Sequence, residues 1–340
     1  MTKIFLTGAS GYIGGDVLHR LAGAHPEYEI SALVRDAQKG SQIASKFPSI
    51  KIVSGDLDDA STVESEASKA DVVLHLAATG HLNSVQSIFK GLTGTSRAKP
   101  AFWIQVSGAT LLSAPEIASK TFGEPSDKVY NDFERVEEIR ALARQFPSRA
   151  VDNFILDKAP GVKTALVVPA IIYGPGRGPV NQRSVQVPEL SRVTIQRGKG
   201  IQVKKGLSTW DNVHIQDLST IFLRLVERAA EADSSKPYWN QDGVYFTGSG
   251  SIPFSEISQL VAQAAFEKGY SKSADVDQVS VEEADQLSPH GGILWGTNAR
   301  CEAQRAAELL GWKTVQKSLE EEIPETVAAE AQRLGVTPKI

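Results

Sequence analysis

Three evenly spaced glycines near the start of the chain constrain its fold more than any other feature. They lie in the segment 8–14, which reads Gly-Ala-Ser-Gly-Tyr-Ile-Gly and follows a β-rich run at residues 3–7. After them, Val17, Leu18 and Leu21 share one helical face. A glycine turn between a strand and a helix lets the backbone approach a pyrophosphate, which the free N–H groups of the helix N-terminus bind. The segment predicts a Rossmann-type dinucleotide site, and a purely structural glycine turn is the alternative. The residues expected to contact the cofactor are Gly8, Ser10, Gly11, Tyr12, Ile13 and Gly14.

Short β-rich runs alternate with helical patterns over the first half of the chain. The runs lie at residues 29–34, 50–54, 71–78, 101–107 and 164–168. This alternation predicts βαβ units and an α/β fold with a Rossmann-type, doubly wound parallel sheet.

The pattern loosens after Tyr173. This change indicates a smaller C-terminal substrate lobe. We predict an NAD(P)-binding Rossmann domain at residues 1–176 plus about 213–247, and the substrate-binding lobe at about 177–212 and 248–340.

Composition excludes several other classes of protein. Hydrophobic residues make up 41% of the 340, which is enough for a sizeable core, and the formal net charge of -4 offers no basic surface for nucleic acid. A single cysteine, Cys301, fits a reducing compartment, and no apolar run is long enough to cross a bilayer. The six histidines show no metal-ligand spacing, so we expect no metal site. We therefore expect a cytoplasmic protein that acts on a small molecule without nucleic-acid or membrane partners.

The residues after the second predicted strand bear on the identity of the dinucleotide. Arg35 lies about 20 residues past the turn, where an acidic residue suits the ribose of NAD and an arginine suits the 2′-phosphate of NADP. The adjacent Asp36 leaves NAD open, and a solvated Arg-Asp pair is a third interpretation. We predict NADP. Asp56 could accept a hydrogen bond from the adenine amino group, or it could cap a helix.

Seven motifs along the chain resemble those of the extended short-chain dehydrogenase/reductase family and occur in the same order as in that family. The family includes NAD-dependent epimerases and dehydratases. They are T-G-A-S-G-Y-I-G at 7–14, L-V-R-D at 33–36, G-D-L at 55–57, H-L-A-A at 75–78, V-P-A-I-I-Y-G-P-G at 168–176, W-D-N-V-H-I-Q-D-L at 210–218 and L-L-G-W at 309–312. The resemblance implies a Rossmann sheet with a C-terminal substrate lobe, and often a homodimer. It further implies that the adenine end is contacted by Asp56 and Leu57, and the nicotinamide side by Ala77, Ala78, Pro169 and Ile171.

The resemblance fails at the catalytic pair. Family members that oxidise or reduce use a Tyr-x-x-x-Lys pair in which the lysine lowers the pKa of the tyrosine. None of the seven tyrosines here has a lysine four residues later. Counting backwards from Val168, the positions of the pair fall near Gln145 and Arg149.

Four residues are candidates for the missing chemistry. Ser107 ends its predicted strand where the family places a serine cluster, although a turn role is as plausible. Arg149 could supply the positive charge of the lysine, or it could be an ordinary exposed arginine. Tyr130 could approach from a loop or simply pack at the surface. His81 could act as an acid or base near neutral pH, or it could be structural.

These observations favour an NADP-dependent oxidoreductase that acts on a small carbonyl or hydroxyl compound with a nonstandard proton donor. A non-redox isomerase, epimerase, lyase or cyclase on the same fold is the alternative, and so is a non-enzymatic NADP-binding redox sensor. The substrate is not identified by the sequence. Arg177, Arg183 and Arg192 could bind an anion such as a nucleotide-sugar phosphate, but we favour the interpretation that they are scattered surface arginines.

Overall fold

A seven-stranded parallel sheet lies at the centre of the protein, with helices on both faces. The computed structural model describes residues 1–94, 97, 99–157 and 159–338. Its strands are β1 (Lys3–Thr7), β2 (Glu29–Val34), β3 (Lys51–Ser54), β4 (Val72–His75), β5 (Ala101–Val106), β6 (Tyr130–Asn131), β7 (Val162–Val168), β8 (Ile171–Tyr173), β9 (Gly200–Val203), β10 (Thr209–His214), β11 (Val244–Phe246), β12 (Gly250–Pro253), β13 (Val276–Val279) and β14 (Cys301–Glu302).

The helices follow the strands of the sheet in the first half and dominate the second half. They are α1 (Tyr12–Ala24), α2 (Ala37–Lys46), α3 (Ala60–Lys69), α4 (Leu82–Thr93), α5 (Ala114–Ser119), α6 (Val136–Gln145), α7 (Ala150–Asp157), α8 (Gln186–Arg197), α9 (Ile215–Ala230), α10 (Phe254–Glu267), α11 (Val281–Leu287), α12 (Gly291–Gly296), α13 (Gln304–Leu310) and α14 (Leu319–Arg333). Short 3-10 helices lie at Ala109–Leu111, Pro147–Arg149 and Asn240–Asp242.

The strand order of the large sheet is β11-β7-β5-β4-β1-β2-β3, with parallel pairing throughout. Because β2 and β4 pair on opposite sides of β1, the order reverses there, and ligands of such sheets bind outside the carboxyl ends of the strands at this point. Alternate residues of β5 enter two different core clusters: Trp103 packs in one, and Phe102 and Ile104 pack in the other. Burial on both faces is the reason that β4 and β5 read as continuous apolar runs. The predicted α/β, doubly wound fold is confirmed.

The smaller lobe is built around α8, α10 and α14, which pack on one another. Strand β9 packs against α8 and α10 and pairs with β13. A separate three-stranded sheet has the strand order β12-β10-β8. Residues 271–298, where the sequence shows little regularity, contain β13, α11 and α12, which are each too short to show a clear period. Helix α13 packs against β11 and α9, so the predicted lobe range of 248–340 includes a segment that returns to the large sheet. No helix in the described ranges is long and apolar enough to span a membrane.

Candidate cofactor and active site

The glycine turn after β1 is tightly packed against its surroundings. Gly8 has φ +88°, and a Cβ there would lie 2.7 Å from the carbonyl carbon of Leu76. A Cβ on Gly14 would lie 2.6 Å from the carbonyl carbon of Gly8 and closer still to its oxygen. Gly11 is the N-cap of α1, no side chain caps this helix, and its first turn has no acidic residue. The turn therefore leaves backbone N–H donors and a positive dipole end available, as a dinucleotide phosphate requires.

A cavity of about 310 Å³ opens in front of this turn. Its lining comes from the turn, from the ends of β4 and β7, and from the start of the small lobe, namely Gly11, Tyr12, Ile13, Leu76, Ala77, Ala170, Ile172, Ser184, Val185 and Gln186. The lobe residues 184–186 were not predicted, because no sequence motif marks them. Ile171 is fully buried in the core, and its neighbour Ile172 lines the cavity instead. Ala78 lies next to the lining residue Ala77, and its carbonyl oxygen accepts a 3.3 Å hydrogen bond from Gln105 Nε2.

Tyr12 connects the glycine turn to the loop that follows β8. Its hydroxyl donates a 2.6 Å hydrogen bond to the carbonyl oxygen of Gly174. Its ring packs so closely on Gly176 that a Cβ there would lie 3.1 Å from Tyr12 Cδ2. Burial raises the pKa of Tyr12 well above its ordinary value, with the charge of Asp16 adding to the effect, so the hydroxyl remains a donor.

The segments predicted to hold the ribose and adenine are positioned by turns. Asp36 is the N-cap of α2 and accepts a 2.9 Å hydrogen bond from the Lys39 amide, whereas Arg35 is exposed. Asp56 Oδ1 accepts hydrogen bonds from the amides of Asp58 and Asp59, and Leu57 is half-buried beside it. Asp56 thus stabilises the turn before α3 through Oδ1, while the N-cap of that helix is Asp59. This role resembles the helix-capping alternative considered for Asp56 from the sequence.

His81 lies on the same side as this turn. It is the N-cap of α4, where Nδ1 accepts a hydrogen bond from the Ser84 amide, and its Nε2 lies 3.1 Å from Asp58. These contacts place His81 next to the predicted adenine segment. His75 is fully buried between the hydroxyls of Thr7 (2.7 Å) and Ser84 (3.2 Å), and burial lowers its pKa to about 3, with a small further effect from His81.

Ser107 is buried at the end of β5, and its role near the nicotinamide stays a prediction. It directly follows β5, and β5 lies between β4 and β7 in the sheet. Its neighbours across the sheet therefore include the strand ends that carry Ala77 and Ala170, both of which line the cavity. The Ala109 amide donates to the carbonyl oxygen of Pro169 at 3.2 Å, which joins the β5 and β7 ends directly.

Arg149 lies in a buried cluster with Ser107 and with a residue that sequence reasoning missed. Its Nη1 is 3.9 Å from Oδ2 of Asp152, which lies in the first turn of α7. Burial raises the pKa of Asp152 to about 6, against the opposing effects of the Ser107 hydroxyl and the Arg149 charge. Burial also lowers the pKa of Arg149. Gln145, at the predicted tyrosine position, is exposed at the end of α6. A lone aspartate in a helix carries no motif, so only the folded arrangement identifies Asp152.

Tyr130 belongs to a different small structure. It forms β6, which pairs with β14, and its amide donates to the carbonyl oxygen of Arg300. Lys128 Nζ lies 4.8 Å from the centre of its ring. Burial raises the pKa of Tyr130, and the charges of Glu138 and Glu116 act in the same direction. Among the described residues, no hydrogen bond joins Tyr130 to Ser107.

The three arginines considered as an anion site are each paired with carboxylates. Arg177 binds the fully buried Asp16 through its amide and guanidinium, with Nη2 2.6 Å from Oδ1. Arg183 binds Glu330 and Glu189, and Arg192 binds Glu189. Their charges are therefore neutralised within the protein. Within the described part of the chain, no group of three or more His, Cys, Asp or Glu residues could hold a metal ion.

Comparison with known proteins agrees with the cofactor side of this site. A family model described as NAD(P)H-binding matches residues 8–139. Oxidase ucsJ from an Acremonium species is 38% identical over 345 residues, covering 98% of this chain and 99% of that protein. An uncharacterized protein of Saccharomyces cerevisiae is 25% identical over 327 residues, covering 94% of this chain and 97% of that protein.

Solved structures share the fold at low sequence identity. dTDP-glucose 4,6-dehydratase from Streptomyces venezuelae, with NAD and TYD bound, superposes with a TM-score of 0.65 at 16% identity and covers 98% of each chain. UDP-glucuronic acid 4-epimerase from Bacillus cereus, in complex with UDP-glucuronic acid and NAD, has a TM-score of 0.62 at 15% identity, covering 98% of this chain and all of that one. The relative that matches over its full length, the NAD(P)H-binding model and the shared fold agree with the motifs in the sequence. The chain belongs to the NAD(P)-binding extended short-chain dehydrogenase/reductase family.

Proposed function

We propose that this protein is an NADP-dependent oxidoreductase that acts on a small carbonyl or hydroxyl compound. The observation that supports NADP is that the two residues after β2 have different contacts. Asp36 is committed to capping α2, while Arg35 is exposed and makes no hydrogen bond or ion pair with any described residue. An arginine in this position suits a 2′-phosphate, whose charge it can bind through several donors.

The site residues support a redox reaction with an unusual proton donor. Gly8, Gly11 and Gly14, with the N-terminus of α1, would hold the pyrophosphate, and the Ala77 and Ala170 side of the cavity would face the nicotinamide. When bound, the nicotinamide would supply or accept the hydride. Ser107 would bind the substrate oxygen, and Arg149 would supply positive charge where the family has lysine. The full-length similarity to a protein named as an oxidase supports the redox proposal.

The experiment compares the wild-type protein with Arg35→Ala, titrated with NADPH and NADH. Loss of a charge-assisted contact with phosphate is worth roughly 1.5–3 kcal/mol, so NADPH is expected to bind roughly 10- to 100-fold more weakly. NADH is the control, since it lacks the phosphate, and its affinity is expected to change little. Equal weakening of both cofactors would overturn the choice of NADP.

Redox activity is tested by following nicotinamide absorbance with a panel of aldehydes, ketones and enones. Turnover of any of them supports the proposal. The second candidate, a non-redox isomerase, epimerase, lyase or cyclase, is favoured by the missing Tyr-x-x-x-Lys pair, and product formation without a net absorbance change would support it. Binding of NADPH with no turnover of any kind would instead favour a sensor.

A further inference from the structure

Three buried polar atoms without hydrogen-bond partners belong to residues that act on one another near the end of β5. They are Ser107 Oγ, Asp152 Oδ1 and Arg149 Nε, none of which has a partner among the described residues. Asp152 is only 2% exposed. Desolvation of unpaired polar groups is unfavourable, so native proteins rarely concentrate them at one place. Ser107 lies beside the strand ends that line the cavity. The unfavourable desolvation of these three polar groups therefore indicates that they serve the function of the site rather than the stability of the fold.

The environment of Asp152 suits it to exchange a proton near neutral pH. Among the described residues, the groups that act on its carboxyl are the Ser107 hydroxyl, from β5, and the Arg149 guanidinium, from the turn before α7. Burial favours the neutral acid, and these two groups favour the carboxylate. The two effects leave its pKa at about 6, so both protonation states are accessible.

We propose that Asp152 is the positioning residue that holds and returns the proton of Ser107, so that Ser107, Asp152 and Arg149 replace the Tyr-Lys pair of the family. The inference rests on the proposed redox function of the same site. Arg149 lies 3.9 Å from the carboxyl and stabilises its charged form. Ser107 is the group that would touch the substrate, and Asp152 acts through it.

In carbonyl reduction, the carbonyl oxygen would take the proton of Ser107 Oγ as the carbonyl carbon gains a hydride, which a bound reduced nicotinamide would supply, so that the carbonyl becomes an alcohol. The neutral carboxyl of Asp152 gives its proton to the Ser107 oxygen and becomes a carboxylate beside Arg149. Solvent restores the carboxyl proton between turnovers. Oxidation of an alcohol is the same sequence in reverse.

The first test needs neither cofactor nor substrate. In the protein labelled with ¹³C at its aspartate carboxyls, NMR titration is expected to show two carboxyls with a pKa near 6, those of Asp132 and Asp152, and only that of Asp152 disappears in Asp152→Asn. In Ser107→Ala the pKa of Asp152 should rise, since the hydroxyl that favours the carboxylate is gone. If Asp152 has no such pKa, or if Ser107→Ala leaves it unchanged, the proposal is wrong. The Ser107→Ala titration decides the matter even if Asp152→Asn does not fold.

The second test compares kcat and its pH profile in Asp152→Asn and Asp157→Asn. Asp157 is the matched control, because it ends the same helix but pairs with Arg140 and Arg144 at the surface. Asp152→Asn is expected to lower kcat by roughly 10²–10³-fold, within the range for general acids, and to remove the change in rate near pH 6. Asp157→Asn should retain both the rate and the profile. A wild-type profile in Asp152→Asn would overturn the proposal.

The two tests separate this inference from the proposed function. If no carbonyl compound is turned over, the redox function fails while the titration still decides whether Ser107 and Asp152 share a proton. If turnover occurs and Asp152→Asn behaves as the wild type does, the redox function stands and the role of Asp152 is rejected.

Discussion

Replacing Gly14 by alanine is expected to displace the turn proposed to bind the pyrophosphate. The new Cβ would lie 2.6 Å from the carbonyl carbon of Gly8, where ordinary contact begins near 3.4 Å, so the Gly8 carbonyl must move. Overpacking of this kind costs about 1–3 kcal/mol. The same carbonyl accepts a 2.8 Å hydrogen bond from the Gly11 amide, and its loss adds about 1 kcal/mol. The free energy of unfolding should therefore fall by about 2–4 kcal/mol.

The matched control is Gly23→Ala, near the end of the same helix. A Cβ at Gly23 meets nothing within 4 Å, and its φ is not in the left-handed region, so alanine should stabilise α1 by about 0.5–1 kcal/mol. Urea unfolding gives the free energy of unfolding of both variants. Calorimetric titration gives their affinity for NADPH, which reports on the glycine turn. Gly14→Ala should bind NADPH at least about tenfold more weakly, which corresponds to about 1.4 kcal/mol, and Gly23→Ala should bind normally. Equal stability of the two variants, or unchanged binding by Gly14→Ala, would refute the reasoning.

Three further predictions concern buried groups. Arg177→Met should lower the free energy of unfolding in urea by about 3 kcal/mol, because it removes the only charged partner described for the buried Asp16 carboxylate; a loss below about 1 kcal/mol would contradict this. His75 has a folded pKa of about 3, below its unfolded value of about 6.5, so the unfolded chain binds the proton first and stability falls as the pH drops below about 6.5. His75→Gln should remove about 1.4 kcal/mol per pH unit from that slope between pH 6 and 4, and identical slopes in urea unfolding would argue against a neutral buried imidazole. Tyr12→Phe removes the hydrogen bond to Gly174 and should cost about 1 kcal/mol, measured by urea unfolding, with no change expected if that bond contributes nothing.

The cofactor side of the protein was largely predictable because its signals are local. Gly8 and Gly14 are close in sequence to the strand and helix that they join, so spacing alone predicted their packing, and the structure shows why a side chain does not fit there. Arg35 and Asp36, at the end of β2, are predicted from the same local spacing, and their role toward the cofactor stays a prediction. Ile171 is buried in the core while its neighbour Ile172 lines the cavity, because successive side chains of a strand point to opposite faces.

The catalytic side was less predictable because it is assembled from distant segments. His81 and Tyr130 were reasonable candidates by residue type, but the fold places His81 near the predicted adenine segment and Tyr130 in the pairing with β14. Ser107 and Arg149 lie far apart in sequence, and only the packing of α7 against β7, beside β5, brings them together with Asp152.

By itself, the sequence determined the class of fold, the glycine turn and the departure from the Tyr-x-x-x-Lys pair. These properties depend on residue spacing of a few positions, which backbone geometry converts directly into strands, turns and helices. Only the tertiary structure decided which polar side chains are buried in the same place, namely those of Ser107, Arg149 and Asp152. Desolvation depends on every element packed around a group, and for this reason Asp152 acquires its raised pKa, and comes under the influence of Ser107, only in the folded chain.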